Sequence, residues 1–403
     1  MTADAKTKDG ARQLPAPDGD FYHLRKTLSA EEQQKLAQVR EFMEAKVAPI
    51  ITEYWAADAF PFDLVSGIRD LQIAGASYEG YGCPGGSNLF TGFLAVELAR
   101  VDCSIATFFG VHSGLAMGSI YLGGSEEQKQ QWLPPMARME KIGAFGLTEP
   151  DVGSGTAGGL TTTARREGDT WILNGQKKWI GNATWCDLTI IWARDLGDDQ
   201  VKGFIVENKS PGFKAEKIEH KMALRVVQNA LITLDNCRVP EANRLQKDTS
   251  FRDAARVLRM TRAGVAWESV GCMIGAYEHA LRYAQSRTQF GKPIASFQLV
   301  QDLLVKMLGN ITASLCMVVE LSRLQDEGKL RDEHASLAKA FCTVRMRETV
   351  GYARELLGAN GIALDHQVGR YVADAEGIYS YEGTREMQTL IVGRAISGFS
   401  AFV

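Results

Sequence analysis

From residue 29 onward, apolar positions recur every three or four residues. Leu36, Val39, Met43 and Val47 follow Ser29-Ala30-Glu31-Glu32, and Pro49 closes the run. The spacing predicts an amphipathic helix, and the Ser-x-x-Glu start is a capping box in which hydroxyl and carboxylate satisfy two orphan amides. Ser125-Glu126-Glu127-Gln128 repeats the start ahead of Trp132 and Leu133. Residues 29–143 therefore read as an N-terminal helical domain. Near 144 the period shortens. "TWILNGQKKWIG", "LTIIWARD", "GFIVENKSPGF" and "NALITLDNCRVP" are β-prone runs separated by turn residues, and Asn174-Gly175 predicts a hairpin turn within the first. Residues 144–245 form the expected middle antiparallel, barrel-like β domain. From about 250 long proline-free stripes return, "FRDAARVLRM…YAQSR", "FQLVQDLL…LQDEG" and "ASLAKAFC…RELLG", with a last helix after Thr384. Residues 246–403 are thus a four-helix bundle. Helices and strands are segregated, so the class is a multidomain α+β fold and not a doubly wound sheet. Residues 1–28, polar and without an apolar core, read as a flexible tail.

The bulk numbers narrow the function more than the fold. With 45 Lys and Arg against 48 Asp and Glu, the net charge of −3 gives no reason to expect nucleic acid or an anionic membrane surface. No uninterrupted apolar run is long enough for a membrane span, and neither a signal core nor a peroxisomal tail is apparent, so the expectation is a cytoplasmic protein with no stable membrane association. The seven Cys include no C-x-x-C pair, and no His/Asp/Glu set has ligand spacing, so no metal is expected.

Five short stretches could carry chemistry, each with a plainer alternative. "GLTEPDVGSG" (146–155) offers hydroxyls and glycine amides to a polar ligand, or is an interdomain turn. Trp179 in "KKWIGN" could be core or a stacking wall. Arg287 in "RTQFGKP" could clamp a phosphate or simply face solvent at a helix end, and Gln298 reads as an exposed helical residue. "ELLGANGI" (355–362) is a helix C-cap or a backbone surface for a phosphate. Glu382 in "YEGT" could be a solvated helix-start carboxylate, or one meant to meet a ligand beside Gly383. His112 reads as a core or helix-face histidine.

Taken in order, "GLTEPDVGSG", "KKWIGN", "RTQFGKP…FQ", "ELLGANGI" and "YEGT" closely resemble the acyl-CoA dehydrogenase family over residues 30–403, nearest its glutaryl-CoA dehydrogenase and short-chain acyl-CoA oxidase branch. The resemblance implies the acyl-CoA dehydrogenase fold, FAD as cofactor and removal of two hydrogens from the α and β carbons of an acyl-CoA. Glu382 matches the base that takes the α-proton. Phe145, Leu147, Thr148, Gly153 and Ser154 match the flavin-lining segment, Trp179, Ile180 and Gly181 the strand against the flavin ring, and Thr384 a flavin contact. Arg287, Gln298 and the turn Glu355, Leu356, Leu357, Gly358, Ala359 match residues that reach the FAD of a neighbouring subunit, which implies a homotetramer built as a dimer of dimers. Ser154, Arg262, Gly383 and Phe402 match substrate contacts.

One departure bears on substrate. Glutaryl-type members carry an arginine for the distal carboxylate shortly after R-V-D. Here Ala106 stands at that place, and no Lys or Arg occurs between Arg100 and Lys129. The expected activity is dehydrogenation of a short-chain monocarboxylic acyl-CoA to the trans-2-enoyl-CoA, with electrons passed to electron-transfer flavoprotein. The alternatives are an acyl-CoA oxidase using O₂, a glutaryl-CoA dehydrogenase and a redox-silent acyl-CoA-binding protein.

Overall fold

The computed structural model describes residues 14–402. The chain runs through α1 (Ala30–Phe42), α2 (Ile51–Ala56), α3 (Leu64–Asp70), α4 (Asn88–Val101), α5 (Cys103–Phe109), α6 (Met117–Gly123) and α7 (Glu126–Ala137) before its first strand. Both expected capping boxes form, at Ser29 with Glu32 and at Ser125 with Gln128. The stripe Leu36, Val39, Met43 and Val47 is buried. Between α5 and α6, residues Gly110–Ala116 continue the helix as a wider i→i+5 turn.

The sheet comprises β1 (Gly143–Gly146), β2 (Thr163–Glu167), β3 (Thr170–Gly181), β4 (Leu188–Asp195), β5 (Val201–Glu207), β6 (Phe213–Lys217) and β7 (Asn229–Pro240), with a short helix α8 (Thr156–Gly159) after β1. The strand order is β1-β4-β2-β3-β7-β6, with β5 also on β4. Most pairs are antiparallel, but β4 takes both β1 and β2 as parallel partners, so the sheet is mixed and not purely antiparallel. Asn174-Gly175 is not a hairpin turn. It lies inside β3 at a bulge opposite β7, and the turn joining β2 to β3 is at Gly168-Asp169. Gly175 has φ +141°, and a Cβ there would meet the Thr162 backbone at 2.7 Å, so the glycine serves a close backbone approach within the strand.

The C-terminal part holds α9 (Phe251–Ser286), α10 (Gln298–Asp326), α11 (Asp332–Leu356), α12 (Val368–Ser380) and α13 (Arg385–Ser397). Helix α12 was not anticipated, because two glycines interrupt its pattern. Arg100, buried at the end of α4, donates to Glu97 (3.0 Å) and to Glu278 on α9 (3.1 Å), joining the two helical parts beside the sheet. Residues 14–28, expected as part of a flexible tail, are instead folded against the bundle. Asp20 is buried and accepts the amides of Leu24 and Arg25, and Gln285 on α9 donates to the Pro15 carbonyl. Capping by a single aspartate closes this turn without the apolar periodicity that would announce it. The remainder of that expected tail, residues 1–13, lies outside the described residues.

Two helical stretches are long and apolar enough, by length and composition, to cross a membrane: Cys103–Gly123 and Gln298–Asp326. The first is two-thirds buried within the protein. The second keeps Leu299 and Val305 largely exposed.

Candidate active site

A cavity of about 840 Å³ opens between the sheet and the helices. Glu382 sits on its wall in the link between α12 and α13, with φ +51°, followed by Gly383 at +88°. Two successive left-handed residues turn the chain sharply, and only the second is glycine. Three groups hold the turn. Lys339, buried on α11, donates to the carbonyls of Tyr381 and Gly383. Gln388 on α13 donates to the carbonyls of Glu382 (3.1 Å) and Gly383 (3.0 Å). Thr384 caps α13 by accepting the Met387 amide.

The Glu382 side chain reaches α9, where the Thr261 hydroxyl donates to its Oε2 at 2.6 Å. Withdrawal from water raises the Glu382 pKa above the ordinary carboxylate value, and the Thr261 bond and the charges of Lys339 and Arg262 offset this only in part. Burial lowers Lys339 to about 8. The Glu382 backbone N–H has no hydrogen-bond partner among the described residues. Arg262 lines the cavity beside Thr261, and its Nε is buried without a partner.

Another part of the wall is built by β1, the 147–157 segment and β3. Phe145, Leu147, Thr148, Gly153, Ser154, Trp179, Ile180 and Gly181 all line the cavity. Trp179 is 55% exposed and not core. A second bulge between Lys178 and Ile180 gives it φ +67° and turns its indole outward. Thr148 is fixed by its hydroxyl donating to the Lys178 carbonyl at 2.7 Å. Beneath lies a buried ion pair: Lys177 donates to Glu149 (2.8 Å) and to the Leu147 carbonyl (3.0 Å), and Glu149 also accepts the amides of Thr161 and Thr162. Burial works to raise the Glu149 pKa, but Lys177 and the two threonines overcome it and hold the carboxyl at about 2. Burial draws Lys177 down to about 8. Glu149→Ala strands the Lys177 charge, so a loss of about 3–5 kcal/mol is expected in urea unfolding. Glu149→Leu with Lys177→Met should recover the part due to the stranded charge but not the part due to the Thr161 and Thr162 amides, which stay without an acceptor.

The third side of the cavity, from α4, α5 and the Gly110–Ala116 turn, is mostly apolar, with Asn88, Thr91, Thr107 and Ser113 as its uncharged polar residues. Leu98, Ala106, Phe109 and Gly110 line it, with Ala106 where a cation was sought and not found. One acid interrupts it: Glu268 on α9, 8% exposed, accepts a hydrogen bond from the Tyr381 hydroxyl. Burial, helped by the nearby Glu382 charge and opposed by the Tyr381 bond, pushes its pKa up to about 8.

The remaining expected residues lie elsewhere. Arg287, Gln298, Glu355, Gly358 and Ala359 are exposed and outside the cavity, while Leu356 and Leu357 are buried beneath that turn. The turn and the end of α9 are neighbours: Asn360 donates to the Tyr283 hydroxyl at 2.9 Å, one helical turn before Arg287. Phe402 is outside the cavity too, under the Arg394 guanidinium. Arg262, Gly383, Ser154 and Thr384 do line it. His112 is a core group. Its Nδ1 accepts the Gly143 amide, its Nε2 donates to the Met136 carbonyl, and burial lowers its pKa to about 4. Thr261, Lys339 and Gln388 were not anticipated as site residues. Lys339 left a trace, since it occupies a position of the buried stripe Ala335, Ala338, Cys342 and Met346.

Residues 29–140, 144–237 and 251–397 match the N-terminal, middle and C-terminal domains of acyl-CoA dehydrogenase. The chain belongs to the acyl-CoA dehydrogenase family. It is 33% identical over 374 residues to a short-chain specific acyl-CoA dehydrogenase of Megasphaera elsdenii, covering 91% of this chain and 97% of that one. It is 32% identical over 369 residues to the caffeyl-CoA reductase-Etf complex subunit CarC of Acetobacterium woodii, covering 90% and 97%. A glutaryl-CoA dehydrogenase of Mycobacterium smegmatis superposes with a TM-score of 0.92 at 38% identity, over 96% of this chain and all of that one. A second structure of a glutaryl-CoA dehydrogenase from that organism, in complex with FADH2, gives 0.93 at 34%, with the same coverage.

Members of this acyl-CoA dehydrogenase family are FAD-dependent oxidoreductases acting on the CH–CH bond of acyl-CoA thioesters, and the chain is an enzyme of that kind. The cavity suits the cofactor. An outward indole at a strand bulge gives a flat wall for a planar ring, and Gly153, where a Cβ would meet nothing within 4 Å, leaves backbone open to a ligand.

Proposed function

We propose that this enzyme dehydrogenates a short-chain monocarboxylic acyl-CoA to its trans-2-enoyl-CoA, with Glu382 as base. The observation that carries the reading is Glu382 itself: a carboxylate with raised pKa, on the wall of the cavity that Trp179 also lines, with one oxygen held by Thr261. Glu382 Oε1, left free, takes the α-proton. The unpartnered Glu382 N–H donates to the thioester oxygen, where charge develops as that proton leaves. A raised pKa brings the base closer to working pH and makes the transfer easier. Lys339 and Gln388 keep the carboxylate and this N–H in register by fixing the carbonyls on either side. Bound FAD supplies the acceptor for the β-hydrogen.

Phe145, Leu147, Thr148, Gly153, Ser154, Trp179, Ile180, Gly181 and Thr384 hold the flavin on this reading, and Arg262, Ser154 and Gly383 face the substrate. Phe402 is set aside as a contact within one chain, because it lies outside the cavity. Arg287, Gln298 and the 355–359 turn reach the flavin of a neighbouring subunit in a homotetramer. Their exposure outside their own cavity, with the turn beside the end of α9, supports this, as do the exposed Phe290, Leu299 and Val305 nearby in sequence. Electron-transfer flavoprotein is the proposed acceptor, in line with the Etf complex named for the Acetobacterium relative. A second reading, glutaryl-CoA dehydrogenase, is favoured by the Mycobacterium neighbours and opposed by Ala106.

The test is anaerobic addition of butyryl-CoA to the yellow holoenzyme. The flavin should bleach within the mixing time of a few turnovers and recover on adding electron-transfer flavoprotein. Rapid recovery in air alone would identify an oxidase, and no bleaching with any short acyl-CoA would remove the reading.

A further inference from the structure

The acyl side of the cavity is mostly apolar, the hydroxyls of Thr91, Thr107 and Ser113 on it are engaged by backbone groups, and one acid, Glu268, enters from α9. The residue is 8% exposed, yet it belongs to the cavity lining. Oε2 accepts from the Tyr381 hydroxyl, and Tyr381 is the residue before the base. Oε1 has no hydrogen-bond partner among the described residues, and it would stand 3.1 Å from a Cβ placed on Gly110. Gly110 begins the wide helical turn, and glycine there leaves Oε1 uncovered. Lys339 and Arg262 act on Glu382 and do not figure among the groups that shift Glu268. A buried carboxyl with one oxygen tied and one open is a costly thing to keep in an apolar pocket unless something pairs with it.

We propose that Glu268, held by Tyr381, is the specificity-determining end of the acyl pocket, and that it selects a short acyl thioester carrying a hydroxyl at its distal carbon over one ending in a methyl group. The proposal rests on the reading of this cavity as the acyl-CoA site. A hydroxyl both donates and accepts, as does a carboxyl kept neutral near pH 7 by a pKa of about 8. A methyl end leaves Oε1 unpaired with water excluded. Sites built to bond a substrate hydroxyl discriminate strongly against the analogue that lacks it, because the site's own polar group is then stranded.

The experiment compares thioester pairs in which a hydroxyl replaces a methyl group: 4-hydroxybutyryl-CoA against valeryl-CoA, and 5-hydroxyvaleryl-CoA against hexanoyl-CoA, so that two reaches are covered. With wild-type holoenzyme the hydroxylated member of at least one pair should have the higher kcat/KM. In Glu268→Leu that ratio should fall at least about tenfold, and in Glu268→Gln, which preserves shape and hydrogen bonding, by less. A second measurement is independent of turnover: Kd values for the same pairs, read from the flavin spectrum, in Glu382→Gln and in Glu382→Gln with Glu268→Leu. The affinity ratio should fall in parallel. If both members of each pair bind and bleach the flavin with ratios that Glu268→Leu leaves unchanged, the proposal is overturned while the dehydrogenase reading stands. If no thioester, butyryl-CoA included, bleaches the flavin, both fall.

Discussion

Replacing Glu382 by Gln is expected to leave a folded, yellow protein that binds acyl-CoA but whose flavin is reduced about 10⁴-fold more slowly, at or beyond the upper end for loss of a general base. The amide keeps the size of the side chain and can still meet Thr261, so packing around the turn changes little. It cannot take a proton. Departure of the β-hydrogen with its electron pair needs electron density from the α-C–H bond, so losing the base stalls both bond cleavages. Stopped-flow bleaching, wild type against variant, measures this directly. A residual rate close to wild type would move the base elsewhere, and Glu268, the other buried acid of the cavity, is then the residue to substitute. A solvated carboxylate at a helix start would have given a change within about 0.5 kcal/mol of neutral and no kinetic effect.

Glutaryl-CoA should be turned over at least about 10³-fold less efficiently than butyryl-CoA. A second carboxylate would enter the side of the cavity lined by Leu98, Ala106, Phe109 and Gly110, where no Lys or Arg occurs between Arg100 and Lys129. An unpaired buried charge costs roughly several kcal/mol, and each 1.4 kcal/mol is about a factor of ten. Glu268 adds a second acid to the same wall and offers nothing cationic. Steady-state kcat/KM for the two thioesters decides the matter. Equal or better turnover of glutaryl-CoA would favour the dicarboxylate reading and point to Arg262, the cation beside Thr261 on the cavity wall, as the partner of the second carboxylate.

The segregation of helices and strands was plain in the periodicity, and several elements coincide with the runs that announced them. β3, β4 and β7 span the quoted segments from end to end, and α9 and α10 do so to within a residue or two. What was not legible depends on contacts between distant residues. Asn174-Gly175 reads as a turn from two residues, but the approach of Thr162 makes it a bulge. Trp179 has the spacing of a core residue, and only a backbone irregularity turns it outward. Thr261 meets Glu382 across 121 positions, and Lys339 meets Tyr381 across 42. Local pattern carries no information about such pairings. "YEGT" drew attention to Glu382 but said nothing of the three helices that grip the turn around it.

The left-handed backbone at Glu382 has an implication for how this chain can vary. A side chain other than glycine with φ near +51° stores strain of order 1–3 kcal/mol, and here it also carries a carboxyl that the fold would hold more easily if it were neutral. Stability alone would favour Gly or Asn at position 382. On the proposed role, selection for turnover and selection for a robust fold pull in opposite directions at this one codon. A copy of the gene released from its catalytic duty should drift there early, and gain heat resistance as it loses its chemistry.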